Sequence, residues 1–120
     1  MNKISFVGAG SMAEAVIAGI VNKQFLDREQ IYVINKENQE RLDELKAKYG
    51  VITSTDRKAV IEGADIIVIA TKPYDVNEAL MSICPYVDET QLIISVVAGI
   101  STEQILRSLQ KKNAVIRTMP

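Results

Sequence analysis

Short apolar runs alternate with amphipathic stretches along the whole chain, and each run ends at a turn-forming residue. Lys3 to Val7 is such a run, stopped by Gly8, and reads as a first strand. Ala13, Val16, Ile17 and Ile20 then recur at helical spacing and predict a helix from Met12 to about Asn22. Ile31-Tyr32-Val33-Ile34 is a continuous apolar strand of the kind covered on both faces. Glu37 to Tyr49 predicts a polar helix with Leu42, Leu45 and Tyr49 inward and Gly50 at its C-terminal cap. Val51-Ile52-Thr53 is a brief strand, and Lys58 to Glu62 a short helix closed by Gly63.

The second half repeats the rhythm. Asp65 to Ala70 has the clearest pattern of a buried strand, and Asp75 or Asn77 is placed to cap a helix with Val76, Ala79, Leu80 and Ile83 inward. Leu92 to Val97 is a fifth strand. Ser101 and Gln104 have capping-box spacing for a helix running to about Lys111. Ala114 to Arg117 closes the series as a sixth strand. Six strands joined by helical segments predict an α/β fold: an open, mostly parallel sheet with helices on both faces and right-handed crossovers.

In such a sheet, ligands bind beyond the carboxyl ends of the strands. The first of those ends carries the sharpest motif, Gly8-Ala9-Gly10-Ser11-Met12-Ala13, a G-x-G-x-x-A turn between a strand and a helix. Gly8 permits the tight turn, Gly10 lets the backbone approach a pyrophosphate, and Ala13 is small enough for the helix to pack on the strand. The helix that follows aims unpaired N–H groups and its positive dipole end at the anion. The expected architecture is therefore a Rossmann-type dinucleotide-binding domain spanning residues 1–120.

Three further loops face the same end. Asn35-Lys36 follows the second strand, where NAD-binding folds place an acid for the ribose 2′-hydroxyl. An amide and a cation suit a 2′-phosphate instead, so NADP (NADPH) is expected ahead of NAD, although Glu37 comes next. The alternative is that Asn35 caps the second helix and Lys36 is solvated. Ala70-Thr71-Lys72-Pro73 follows the fourth strand, and Pro73 forces Lys72 out of the helical region, so this segment leaves the sheet extended. Lys72 is then either a donor to ribose or substrate, or a solvent-facing loop lysine. Val97-Ala98-Gly99 follows the fifth strand, as small residues admitting a flat ring or as a plain turn before Ser101.

Composition narrows the class. The chain has 120 residues, 48% apolar and 24% charged, with a formal net charge of −1. No basic face dominates, which argues against nucleic-acid and membrane-surface partners. No apolar run reaches the roughly 18 residues of a membrane span, and no signal-peptide pattern precedes Gly8, so a cytoplasmic address is expected. Lys111-Lys112 reads as a solvated helix end. Cys84 is the single cysteine and there is no histidine, which excludes a disulfide framework, a Ser-His-Asp triad and a histidine metal site within these residues. Glu40, Asp43 and Glu44 lie on a helix face as solvated charge, and no acid–base pair stands out. Hydride transfer needs none, because a nicotinamide cofactor supplies that chemistry.

Four blocks, Val7 to Ala15, Ala70 to Pro73, Ser95 to Ser101 and Val115 to Pro120, occur in order. Together they resemble the N-terminal cofactor domain of pyrroline-5-carboxylate reductase, and the resemblance covers the whole chain. It implies hydride transfer from NAD(P)H to 1-pyrroline-5-carboxylate, giving L-proline in the last step of proline biosynthesis. By position it implies Gly8, Ala9, Gly10, Ser11 and Met12 at the pyrophosphate, and Asn35 with Lys36 at the adenosine ribose. Ala70, Thr71, Lys72, Pro73, Val97 and Ala98 fall on the nicotinamide side. Asp56 falls where many relatives place an adenine-side asparagine, Thr71 where valine is usual, and Lys36 where arginine is common. The family pattern continues beyond Met119-Pro120 into a helical domain that forms the homo-oligomer and much of the substrate site. With that domain absent, this chain alone is expected to bind cofactor with little turnover and to be monomeric. Rival expectations are another NADP-dependent imine or hydroxyacid reductase, and a non-catalytic dinucleotide-binding paralogue.

Overall fold

Apolar runs as long as Ile66–Ile69 need cover on both faces, and the architecture supplies it. The computed structural model describes residues 2–36 and 38–118. Six strands, β1 (Ile4–Val7), β2 (Ile31–Ile34), β3 (Ile52–Thr53), β4 (Ile66–Ile69), β5 (Leu92–Ser95) and β6 (Val115–Arg117), form one sheet in the order β3-β2-β1-β4-β5-β6. All pairings are parallel, with Ile4 opposite both Ile31 and Ile66. The order reverses between β1 and β4, so the chain winds outward in both directions from β1.

Alternation along the strands divides the apolar residues into two layers. Ile4, Phe6, Ile31, Val33 and Val68 pack against α1 (Ser11–Asn22) and α2 (Gln39–Tyr49), through Ala13, Ile17, Leu42 and Leu45. Val7, Ile34, Ile67, Ile69 and Ile93 face the other way, onto α3 (Arg57–Ile61), α4 (Val76–Ile83) and α5 (Thr102–Leu109). The predicted open α/β sheet with helices on both faces is thus the observed one. Cys84 is partly buried against the second layer, packing as a small apolar residue.

Several boundaries differ from the pattern-based expectation, each for a local reason. β5 stops at Ser95 rather than Val97, because the Ser95 hydroxyl accepts the Val97 N–H and turns the backbone away. α5 ends at Leu109, since Gln110 takes the left-handed conformation (φ +56°) and donates its N–H to Leu106. α4 is not capped by a side chain of Asp75 or Asn77. A 3₁₀ turn, Pro73–Asp75, runs straight into it, and Asn77 accepts the Ser108 hydroxyl from α5 instead. The predicted start of α2 at Glu37 lies outside the described residues, and the described helix opens with Asn38, whose side chain accepts the Arg41 N–H. The Ser101 capping box is formed as predicted.

Candidate functional site

The turn after β1 is built by close contact with its neighbours. Gly8 has φ +112°, and a Cβ there would lie 2.5 Å from the Ala70 carbonyl oxygen. No side chain but hydrogen fits. The Gly8 N–H bonds the Ile34 carbonyl at 2.8 Å and the Ala70 N–H bonds the Val7 carbonyl at 2.9 Å, lacing the ends of β2, β1 and β4 together. Gly10 is different. It has an ordinary φ of −81° at the N-cap of α1, and a Cβ there would meet nothing within 4 Å. Its smallness leaves space in front of a helix start that no side chain caps. That is the cradle a pyrophosphate requires.

In front of the turn lies a cleft of about 520 Å³, the size of a small-molecule site. Of the residues expected at the cofactor, Gly8, Ala9, Gly10, Asn35, Lys36, Ala70, Thr71 and Lys72 line it. Ser11, Met12, Asp56, Pro73, Val97 and Ala98 are not among its lining residues. Ser11 and Met12 form the exposed first turn of α1 just behind Gly10. Val97 is buried in the core layer beneath α4 and α5, with Ala98 exposed beside it. Asp56 is the N-cap of α3, where its carboxylate accepts the N–H groups of Lys58 and Ala59.

The loop residues are held in turn. Asn35 uses both ends of its amide on the backbone of Asn38, at 3.0 and 3.2 Å, and so shapes the β2–α2 loop. Lys36 pairs with Glu78 of α4 at 3.1 Å. Lys72 is extended (φ −69°, ψ 149°), as Pro73 demands, and its ammonium stands 6.0 Å from the Tyr74 ring centroid.

Two arginines of the cleft were not singled out by motif. Arg41 reaches from α2 to donate to the carbonyls of Ala9 and Gly10, and its guanidinium also pairs with Glu14 at 2.7 Å and with Glu44. Glu14 further accepts from Lys48 and from the Tyr49 hydroxyl, at 2.9 and 2.6 Å. These bonds, Tyr49 first and then Lys48 and Arg41, hold the Glu14 carboxyl down at about 2. The glycine turn is therefore fastened to α1 and α2 through one carboxylate. The second arginine, Arg57, opens α3 and lines the cleft beside the β2 end. Its only signal in the sequence is that it follows a helix-capping aspartate. Among the described residues, no cluster of His, Cys, Asp or Glu could hold a metal ion, and no helix is long and apolar enough to cross a membrane.

Known proteins share the sequence and the fold of this chain. The chain is 48% identical over 120 residues to pyrroline-5-carboxylate reductase 2 of Bacillus subtilis, covering all of this chain and 43% of that protein. Pyrroline-5-carboxylate reductase of Staphylococcus haemolyticus is 37% identical over 118 residues, with 44% of its length covered. The chain thus spans less than half the length of the curated relatives it matches. The solved pyrroline-5-carboxylate reductase of Coxiella burnetii superposes with a TM-score of 0.90 at 32% identity, over 99% of this chain and 44% of that one. The similarity to pyrroline-5-carboxylate reductases expected from the four sequence blocks is thus present along the whole chain. A family model described as NADP oxidoreductase, coenzyme F420-dependent, matches residues 3–99, and the chain belongs to that family.

Proposed function

We propose that this chain is the NADPH-binding part of a pyrroline-5-carboxylate reductase. The observation that bears most weight is the open space at Gly10, in front of an uncapped helix start and at the mouth of the cleft. A dinucleotide pyrophosphate fills such a space and satisfies the helix N-terminus in one step. When bound, the nicotinamide cofactor supplies the hydride that reduces the C=N bond of 1-pyrroline-5-carboxylate to L-proline.

The chain's own residues do the binding and orienting. Gly8, Ala9 and Gly10 receive the pyrophosphate, with Ser11 and Met12 presenting the N–H groups of the first helical turn. Asn35 and Lys36 lie toward the adenosine ribose. Ala70 to Lys72 form the nicotinamide wall, Pro73 fixes their extended path, and Val97 and Ala98, outside the cleft lining, follow the neighbouring strand β5 on the same side. Asp56, spent on capping α3, contributes to the adenine end only by holding its loop. The part of the relatives that this chain does not match is assigned the remainder of the substrate site and the oligomer contacts.

The test is a parallel fluorescence titration of the chain with NADPH and NADH. Tighter binding of NADPH is expected. Equal or tighter NADH would return Lys36 to the role of a surface lysine paired with Glu78. Binding of neither would remove the reading of the glycine turn.

A further inference from the structure

The cleft gathers four cations, Lys36, Arg41, Arg57 and Lys72, against two carboxylates, Asp75 and Glu78. Three of the four have work already. Arg41 spends its guanidinium on the Ala9 and Gly10 carbonyls, Glu14 and Glu44. Lys36 is paired with Glu78. Lys72 stands over Tyr74 at the β4 end, across β1 from β2. Among the described residues the Arg57 side chain makes no hydrogen bond, ion pair or ring contact, although it is partly buried in the cleft wall.

Its place follows from the sheet. β3 pairs with β2 at Tyr32–Ile52 and Val33–Thr53, and the Ser54 N–H continues the ladder to the Val33 carbonyl at 3.3 Å. The segment from Ser54 to Arg57 therefore emerges beside the Asn35-Lys36 loop, at the end of the cleft remote from Lys72. The Asp56 carboxylate, which would repel an anion there, is turned onto the Lys58 and Ala59 N–H groups of its own helix.

We infer that Arg57 sets the cofactor preference of this chain by receiving the 2′-phosphate of the adenosine ribose. The inference rests on the dinucleotide reading above and goes beyond the Asn35-Lys36 pair. A planar guanidinium takes a phosphate through two parallel donors, whereas Lys36 offers a point charge and must leave Glu78 to do so. Arg57 has no such partner to give up.

The experiment uses adenosine 2′,5′-bisphosphate and 5′-AMP, which differ only by the 2′-phosphate, alongside NADPH and NADH. The parent chain should bind the bisphosphate more tightly than AMP. Arg57→Met should cut that advantage by roughly tenfold to hundredfold, the worth of a charged hydrogen bond, with AMP and NADH unchanged. Arg57→Lys should keep part of it, and Lys36→Met should cost less than Arg57→Met. An unchanged advantage in Arg57→Met, or an equal loss on both nucleotides, overturns the inference while dinucleotide binding stands. Failure of the parent chain to bind any of the four overturns the dinucleotide reading and this inference together.

Discussion

Gly8 and Gly10 stand two residues apart in one motif, and substitution separates their roles. At Gly8 an alanine Cβ would press on the Ala70 carbonyl at 2.5 Å in a left-handed backbone, so Gly8→Ala should cost about 3 kcal/mol in urea unfolding. At Gly10 a side chain meets nothing within 4 Å, and Gly10→Val should leave stability within about 1 kcal/mol of the parent. The same valine occupies the space reserved for the pyrophosphate, so NADPH binding should vanish from a protein that still folds. Undiminished binding would show that the space serves no phosphate. Glu14, four residues on, has a role visible only in pH. Its folded pKa of about 2 lies below the ordinary 4.5, so the ionised carboxylate stabilises the fold. That stabilisation is complete above pH 4.5 and drains away as pH falls toward about 2. Glu14→Gln should therefore lower the urea midpoint at pH 7 and flatten its pH dependence between 4.5 and 2. A variant as steep as the parent in that window would mean that other carboxylates dominate the acid limb.

At the scale of elements, the strands and the glycine turn were legible because they are local. A run such as Ile66–Ile69 needs burial on two faces wherever it sits, and a helix must follow a turn that ends in Ser11. What was not legible depends on partners distant in sequence. Arg41 looks like one more charge on a polar helix, yet it lies against Ala9 and Gly10, 32 and 31 residues away. Gln110 gives no sign that it will end α5, since the left-handed turn there falls on a residue other than glycine. Arg57 could not be told from any helix-start arginine until the β3–β2 ladder brought its loop to the cleft. Arg41 also makes a prediction at this scale. It ties α2 to the β1–α1 turn, so Arg41→Met should cost about 2 kcal/mol and weaken NADPH binding by loosening the turn. Arg41→Lys should restore charge opposite Glu14 without the fork that spans two carbonyls, and should recover stability more than affinity. Equal recovery of both would reduce Arg41 to an ion-pair partner.

For the whole molecule the question is whether the two faces of the sheet unfold together. Each central strand sends alternate residues to opposite layers: Phe6 to α1 and α2, and Val7 to the layer of α3, α4 and α5. Losing either layer strips one side of β1, β2 and β4, so a single cooperative transition is expected. The proposed ligand spans that same centre. Its pyrophosphate sits at the β1 turn, its adenosine end toward β2 and β3, and its nicotinamide end toward β4. Binding should therefore be felt by the entire domain. NADPH at a hundred times its Kd adds about 2.7 kcal/mol to the unfolding free energy. For a domain of this size that raises Tm by about 10 °C. Adenosine 2′,5′-bisphosphate, which lacks the nicotinamide half, should move the same transition by a smaller amount without splitting it. Calorimetry in which one of two steps shifts while the other stays would mean that the faces fold independently. The cleft would then report on only half of the domain, and coupling between the adenosine and nicotinamide ends would have to come from the cofactor and not from the sheet.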